Sequence, residues 1–170
     1  MSDATIEGVV GDISTALSKQ FQESRTGEKF RWRMSNVGRP YCQLWYAKNK
    51  PETAENVNTV FLLNMIVGDI VEAVFKGVMK EAGVAFEDSK QVTGKFGDAE
   101  INGTNDLTLD DAVWDVKTAS AWSFKNKFES AEKLAEADTF GYVAQLCGYA
   151  HADNVKPGGW IVLNKNTMEF

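Results

Sequence analysis

The sequence predicts an α/β domain with a mixed central β-sheet flanked by helices. Residues 56–80 have a long apolar pattern at helical spacing, and residues 84–118 change to short alternating runs separated by glycines. Residues 139–152 return to helical spacing, and residues 160–163 form an apolar strand pattern after a Pro-Gly-Gly turn. The order of helix, strands, helix and strand is typical of an α/β domain with a mixed sheet.

The composition is that of one compact domain. The chain has 170 residues, of which 44% are hydrophobic and 25% charged, close to ordinary globular usage. We therefore expect residues 1–170 to form a single domain, with a helix and a basic, aromatic segment over residues 1–55 and the core over residues 56–170. The N-terminal helix is predicted by apolar residues at helical spacing, namely Ile6, Val9, Val10, Ile13, Leu17 and Phe21.

The charge and the cysteine content narrow the class of protein. A net charge of −6 argues against a protein that coats nucleic acid by bulk electrostatics, for which a basic domain is expected. It is compatible with an enzyme that acts on nucleic acid, since such an enzyme needs carboxylates for metal and only a local basic track for phosphate. No apolar run is long enough to span a bilayer, and the start does not resemble an export signal. With Cys42 and Cys147 as its cysteines, we expect free thiols in a cytoplasmic, intracellular protein without a membrane partner.

The long helix and the segment after the strands carry two further predictions. The helix over residues 56–80 should end before Gly83, a natural C-terminal cap. Residues 120–138 are polar and are expected to be irregular. The buried stripe of the long helix is predicted to consist of Ile66, Ile70, Val74 and Val78.

Basic and aromatic residues are interleaved between residues 24 and 40. Such a pattern suits a strand or loop that touches a sugar–phosphate backbone, and equally a half-buried strand with a solvated face. Arg39, which precedes Pro40, is the best candidate for a substrate contact. The other residues of the pattern are Arg25, Lys29, Phe30, Arg31, Trp32 and Arg33.

The most informative region contains Asp106, Asp115 and Lys117. Asp115 and Lys117 share one face of a predicted strand, because strand side chains repeat every second position. If the flanking strands pair as a hairpin around residues 110–111, Asp106 meets Asp115 near one end of the sheet. Two carboxylates at one point form a hard-oxygen site suited to Mg²⁺ or Mn²⁺. A lysine there can orient water and stabilise charge on a phosphoryl group.

An Asp-x-Lys pattern alone has a simpler interpretation. Acidic and basic residues alternate on many exposed strands, where they form solvated cross-strand pairs. Trp114 and Val116 bracket Asp115, however, so this strand is apolar enough to be central in the sheet. A charged face on a central strand needs a functional reason, which favours the metal-site hypothesis.

Four short motifs complete a resemblance to a known family. The motifs, in this order, are Gly68-x-x-x-Glu72, Gly103-x-x-Asp106, Asp115-Val116-Lys117 and Gln145-x-x-x-Tyr149. Together they resemble the PD-(D/E)xK nuclease superfamily, with the nearest likeness to its RecB-like and lambda-exonuclease-like branch. That branch also includes CRISPR adaptation nucleases and many phage exonucleases, and the resemblance implies a restriction-endonuclease-like core.

The resemblance implies a metal centre that contains Mg²⁺ or Mn²⁺. Asp106 and Asp115 would ligate the ion through their side chains, and Val116 would do so through its backbone carbonyl. Glu72 would act as a ligand directly or through water, and Lys117 would position the attacking water. Several relatives hold an iron–sulfur cluster with four cysteines, so two cysteines predict no cluster here.

The resemblance also implies where DNA binds. Gln145 and Tyr149 lie one helical turn apart and would contact DNA phosphate or support Lys117. Residues 160–165 resemble the strand that follows in this branch, and Lys165 is a further substrate-binding candidate. The early segment of the relatives has its residues in a different order from residues 35–43 of this chain, so the resemblance assigns no role to Arg39.

The function expected from these residues is a metal-dependent DNA nuclease. An exonuclease of phage or recombination type is favoured, with DNA as partner and with a homo-oligomer or a recombination protein as further partners. An endonuclease of the same superfamily, such as a resolvase, remains an alternative. A catalytically inactive DNA-binding module is the second alternative.

Overall fold

The computed structural model describes residues 30–54 and 58–170, together with the single positions 11, 15, 16 and 19. Apart from those positions, the helix predicted over the first two dozen residues lies outside the described part of the chain. The basic and aromatic segment is described from Phe30 onwards, where Arg33 forms a single bridge with Asn102 and residues 34–36 form a 3-10 turn.

In the described residues, six strands form two sheets. The main sheet has the order β1 (Glu87–Asp88), β4 (Leu107–Leu109), β5 (Ala112–Ala119) and β6 (Lys156–Asn164). Its first three strands pair antiparallel, whereas β5 and β6 pair parallel. The second sheet is an antiparallel pair of β2 (Gln91–Phe96) and β3 (Ala99–Thr104). The prediction of an α/β domain with a mixed sheet is confirmed.

Five α-helices accompany the sheets in the described ranges. They are α1 (Tyr41–Asn49), α2 (Thr59–Glu81), α3 (Ala121–Asn126), α4 (Ala131–Glu136) and α5 (Tyr142–Asp153). In that part of the chain, none of the helices combines the length and the apolar character needed to cross a bilayer.

The prediction that residues 120–138 are irregular is wrong, because α3 and α4 lie there. Each helix begins after a serine whose hydroxyl accepts a backbone hydrogen bond. Ser120 Oγ accepts from the N–H of Ser123 at 3.2 Å, and Ser130 Oγ accepts from the N–H of Lys133 at 3.3 Å. These caps satisfy N–H groups that have no partner within the helix, which allows helices of only six residues to form.

The ends of α2 follow the sequence signals. Asn58 caps the first turn, with its Oδ1 accepting a hydrogen bond of 2.8 Å from the N–H of Phe61. Gly83 follows the last turn with a φ of +70°, the left-handed conformation that favours glycine at this position. The predicted C-terminal cap is confirmed.

The face that α2 packs against the sheet differs from the predicted stripe. Ile66, Ile70, Val74 and Val78 are exposed by 40% to 62%. The side chains packed around the sheet are instead Val71, Phe75 and Met79, each one position later than its predicted counterpart. One residue turns a helix by about 100°. Apolar residues surround much of α2, so their spacing does not select the packed face.

Strand β5 lies between two apolar clusters, one on each side. Val113 packs in a cluster with Met34, Leu146 and Tyr149, whereas Val116 packs with Met79 and Leu107. Because strand side chains alternate, Asp115 belongs to the side of Val113, as the sequence predicted. Asp115 therefore faces α5.

Candidate functional site

A tight hairpin joins β4 to β5. Leu109 pairs with Ala112, and the two residues between them form the turn. Asp110 and Asp111 have φ values of +51° and +56°. Positive φ at both central residues defines a type I′ turn, whose twist matches that of the flanking strands. The hairpin predicted around these two residues is confirmed.

The hairpin brings the first two site residues together. Leu107 pairs with Trp114, so the register continued by one residue sets Asp106 opposite Asp115. The carboxylate of Asp106 is held in this position because its Oδ2 accepts a hydrogen bond of 2.8 Å from the N–H of Val116. Each carboxyl group alters the titration of the other. The predicted meeting of the two carboxylates is confirmed.

Both carboxyl groups are difficult to ionise. Burial raises the pKa of Asp106 to about 6, and the nearby charge of Asp115 contributes to the rise while Lys117 opposes it. Burial also raises the pKa of Asp115, whose residue is 6% exposed, against the opposing charge of Lys117. Two adjacent carboxylates withdrawn from water repel each other, so a cation between them would be strongly favoured.

Lys117 provides one positive charge at this point. Its Nζ lies 2.6 Å from Asp115 Oδ2 and 3.4 Å from the carbonyl oxygen of Val116. Burial alone would lower the pKa of Lys117, but the charges of Asp115 and Asp106 outweigh that effect and raise it. Lys117 is therefore a cation that the two carboxylates hold in place.

The donor set fits a hard divalent cation. Asp115 Oδ2 is buried and lies 2.6 Å from the Lys117 amine, with which it forms an ion pair. The available donors are the carboxylate oxygens of Asp106 and Asp115 and the carbonyl of Val116. Oxygen donors of this kind match Mg²⁺ or Mn²⁺, so the chemistry of the donor set favours such an ion.

The site is not a metal cage made by side chains alone. In the described ranges, no three His, Cys, Asp or Glu side chains converge in an arrangement that could hold a metal ion. Mg²⁺ is usually bound through one or two carboxylates, with water and substrate phosphate completing its coordination. The carboxylate pair therefore fits Mg²⁺ or Mn²⁺ better than a closed structural zinc site.

Glu72 lies beside the carboxylate pair but turns towards α2 itself. Its carboxylate forms an ion pair with Lys76, one helical turn later. Its negative charge contributes to the raised pKa of Asp115, so the two groups are electrostatic neighbours. Glu72 also lines a cleft with Lys76, Asp88 and Ser89. In this conformation Glu72 is a neighbour of the carboxylate pair rather than a third side chain grouped with it.

Gln145 and Tyr149 belong to α5, the helix that Asp115 faces. Burial raises the pKa of the Tyr149 phenol, a hydrogen bond with Gln145 opposes the rise, and the charges of Asp106 and Asp115 add to it. Gly103 allows this approach, because a Cβ there would lie 2.7 Å from Tyr149 Cε1. Tyr149 is only 6% exposed. This burial favours a role in supporting the site over a direct contact with phosphate.

Arg39 reaches the same end of α5 through a contact between two glycines. Gly38 and Gly141 have φ values of +83° and +79°, and a Cβ on Gly38 would lie 2.8 Å from Gly141 Cα. Arg39 Nε donates a hydrogen bond of 2.9 Å to the carbonyl of Ser35. Burial raises the pKa of Tyr142. The positive charge of Lys117 opposes that rise, and the positive charge of Arg39 opposes it to a smaller extent.

Lys165, the last of the predicted substrate contacts, interacts with other parts of the fold than the carboxylate pair. It follows β6, and its backbone N–H donates a hydrogen bond of 2.9 Å to the carbonyl of Ala119. Its side chain amine donates to Asn64 Oδ1 in α2. These contacts involve α2 and the end of β5 rather than the carboxylate pair.

Two residues near the site, Tyr142 and Lys76, are not among those predicted from the sequence. The Tyr142 ring centroid lies 5.9 Å from Lys117 Nζ, within the range of a cation–π contact. Lys76 is buried in α2 and binds Glu72, Asp88 and Ser89. A lysine inside a strongly apolar helix could have indicated a buried ion pair, because buried charges are almost always paired.

Taken together, these observations define an α/β protein with a carboxylate–lysine cluster at the start of a central hairpin. No family model matches the chain, and no curated protein sequence does so. The chain is similar to the crystal structure of a protein called SSO0001, with a TM-score of 0.60 and 17% identity. The similarity covers 92% of this chain and 74% of that chain, and at this identity it shows the fold alone.

The raised pKa of Asp106 predicts a pH-dependent penalty on the metal-free protein. With a pKa of about 6 against an ordinary 3.8, the folded state binds more protons than the unfolded chain between those values. The free energy of unfolding contributed by this group therefore falls as pH rises through that window. Asp106→Asn removes the titration and keeps an oxygen that can accept from Val116. Urea unfolding in EDTA should show the variant gaining stability relative to wild type as pH rises, and a pH-independent difference would contradict this.

Proposed function

We propose that the protein is a divalent-metal-dependent deoxyribonuclease of the PD-(D/E)xK type, acting as an exonuclease. The observation that carries the proposal is the buried pair of Asp106 and Asp115 with the Lys117 amine 2.6 Å from Asp115. The order of motifs along the sequence supports the choice of this superfamily. The endonuclease and inactive-module alternatives are retained as outcomes of the test.

The residues of the pair have distinct roles in this proposal. Asp106 and Asp115, with the carbonyl of Val116, would hold Mg²⁺ or Mn²⁺. When bound, such an ion polarises the scissile phosphate and lowers the pKa of water. Asp106 is kept in position by the N–H of Val116, and Asp115 fixes the amine of Lys117. Little rearrangement of these side chains is then needed for catalysis.

Lys117 is proposed to orient the attacking water and to stabilise charge on the phosphoryl group. Its pKa is raised, so it remains a cation at neutral pH. A cation beside the carboxylates also reduces the repulsion that a polyanion would meet at an acidic protein. Arg39, whose charge acts on Tyr142 beside Lys117, adds a second cation near the carboxylates. With a divalent ion bound between the carboxylates, these cations would attract a substrate phosphate although the whole chain carries a charge of −6.

The protein is proposed to act on DNA inside the cell. Its cysteines, Cys42 and Cys147, are both free and exposed, which suits a reducing compartment. Gln145 and Tyr149 are proposed to support the position of Lys117. A homo-oligomer or a recombination protein is the proposed further partner.

A cleavage assay with end-labelled DNA tests the activity. We expect purified protein to degrade linear DNA in Mg²⁺ or Mn²⁺ and to leave it intact in EDTA. A covalently closed circle should resist an exonuclease, whereas its cleavage would establish the endonuclease alternative. Binding of DNA without product in either metal would support the inactive module. Degradation that persists in EDTA would contradict the proposed chemistry.

A further inference from the structure

An exposed aromatic ring lies next to the candidate site. Phe140 is 53% exposed, and its ring stacks on that of Tyr142 with centroids 5.6 Å apart and an interplanar angle of 22°. Phe128 is a second ring neighbour of Tyr142, with ring centroids 6.0 Å apart. Phe140 is thus an exposed ring of an aromatic cluster, with more than half of its surface open to solvent.

This cluster is continuous with the catalytic charges. The Tyr142 centroid lies 5.9 Å from Lys117 Nζ, and Lys117 Nζ lies 2.6 Å from Asp115 Oδ2. Phe140 is therefore separated from the catalytic lysine by a single ring.

The position of the rings is fixed by the backbone at the start of α5. Asp138 accepts hydrogen bonds from the N–H groups of Tyr142 and Val143, both at 2.9 Å. Gly141, which lies between Phe140 and Tyr142 in the sequence, has the left-handed conformation and packs against Gly38. A platform fixed in this way loses little conformational entropy when a ligand stacks on it.

We propose that Phe140 is a stacking platform for an unpaired nucleobase, and that the substrate class is single-stranded DNA. The inference rests on the proposed nuclease function, whose substrate class it names. A base in a duplex already has neighbours on both faces, so a protein ring can stack fully only on a base that is unpaired or at an end. Base–aromatic stacking is tolerant of sequence because every base has a π-face. The positive charges of Lys117 and Arg39 beside Tyr142 complement the phosphate attached to such a base.

Fluorescence of single strands that contain 2-aminopurine at successive positions tests the platform without requiring cleavage. Titrations in EDTA compare wild type with Phe140→Ala, Phe140→Trp and the matched control Phe61→Ala, a phenylalanine of similar exposure (52%) in α2. We expect quenching at one position with wild type, and Phe140→Ala should abolish it and weaken binding by roughly 5- to 150-fold. Phe140→Trp should restore both, and Phe61→Ala should resemble wild type.

The same variants assayed for cleavage separate this inference from the nuclease proposal. Phe140→Ala should raise KM on single strands more than it lowers kcat, and it should raise KM on blunt duplexes, where only the terminal bases have a free face, by a smaller factor. If wild type cleaves DNA while Phe140→Ala changes neither quenching nor KM, or weakens duplex and single strand equally, the platform is overturned and the nuclease stands. If no protein cleaves but quenching depends on Phe140, the nuclease proposal fails and the platform stands.

Discussion

Replacing Asp115 with asparagine is expected to reduce DNA cleavage in Mg²⁺ by more than about 100-fold. Loss of groups that only support a metal ligand already reduces activity by about 10- to 100-fold, so loss of a proposed ligand should exceed that. Asparagine is close in size to aspartate, but it lacks the charge that holds Lys117 Nζ at 2.6 Å. The variant therefore removes both the proposed cation ligand and the anchor of the lysine. End-labelled single strands assayed under single-turnover conditions measure the effect.

Asp110→Asn is the matched control for this experiment. Asp110 is exposed in the turn of the same hairpin and has a φ of +51°. Asparagine adopts the left-handed conformation readily, so the turn should keep its geometry. We expect cleavage within about twofold of wild type, because a surface change away from the site leaves the pair intact. Equal loss of activity in the two variants would contradict a specific role of Asp115.

Replacing Lys76 with methionine is expected to lower the free energy of unfolding by about 2–4 kcal/mol. Breaking a buried ion pair by removing one partner leaves the other charges without compensation. The Lys76 side chain is 8% exposed, and its amine contacts Glu72, lies 2.9 Å from Asp88 Oδ1 and lies 2.7 Å from Ser89 Oγ. The cation also lowers the pKa of Asp106, so its loss increases repulsion at the carboxylate pair. Urea unfolding at neutral pH measures the change.

Lys80→Met provides the comparison for Lys76→Met. Lys80 binds the same carboxylate, 2.8 Å from Asp88 Oδ2, but its side chain is 61% exposed. An exposed ion pair contributes less than about 1 kcal/mol, so this substitution should have a small effect. Destabilisation of similar size in both variants would show that burial of Lys76 is not what makes its ion pairs important.

The parts of the site that were predicted from sequence are local ones. The meeting of Asp106 and Asp115 follows from a turn that favours Asp110 and Asp111 and from the two-residue period of strands. Both signals are contained within residues 106–115. Propensity and spacing are sufficient at this range because no distant contact is needed to form a hairpin.

The packed face of α2 depends on distant residues instead. The predicted stripe and the packed stripe differ by one position, a rotation of about 100°. Both are apolar, so the helix alone cannot distinguish them. The ion pairs of Lys76 with Asp88, twelve residues further along the chain, favour the observed rotation. That rotation also brings Glu72 towards Asp115, whose pKa it helps to raise.

The region around Tyr142 depends on contacts over an even longer range. Arg39 approaches α5 because Gly38 meets Gly141, and neither glycine has a sequence signal that names its partner. Tyr142 then lies over Lys117 from another element of the fold. The spacing of residues within one segment contains no information about such contacts. The aromatic platform could therefore be recognised only in the folded chain.

The proposed nuclease requires a divalent cation site between Asp106 and Asp115. The most direct test is a Mn²⁺ titration followed by electron paramagnetic resonance, in which bound ion is lost from the signal of the free ion. Wild-type protein without DNA should bind Mn²⁺, and Asp115→Asn and Asp106→Asn should each abolish that binding while Asp110→Asn retains it. If wild type does not bind Mn²⁺, or if both site variants bind it as wild type does, the proposed cation site is contradicted.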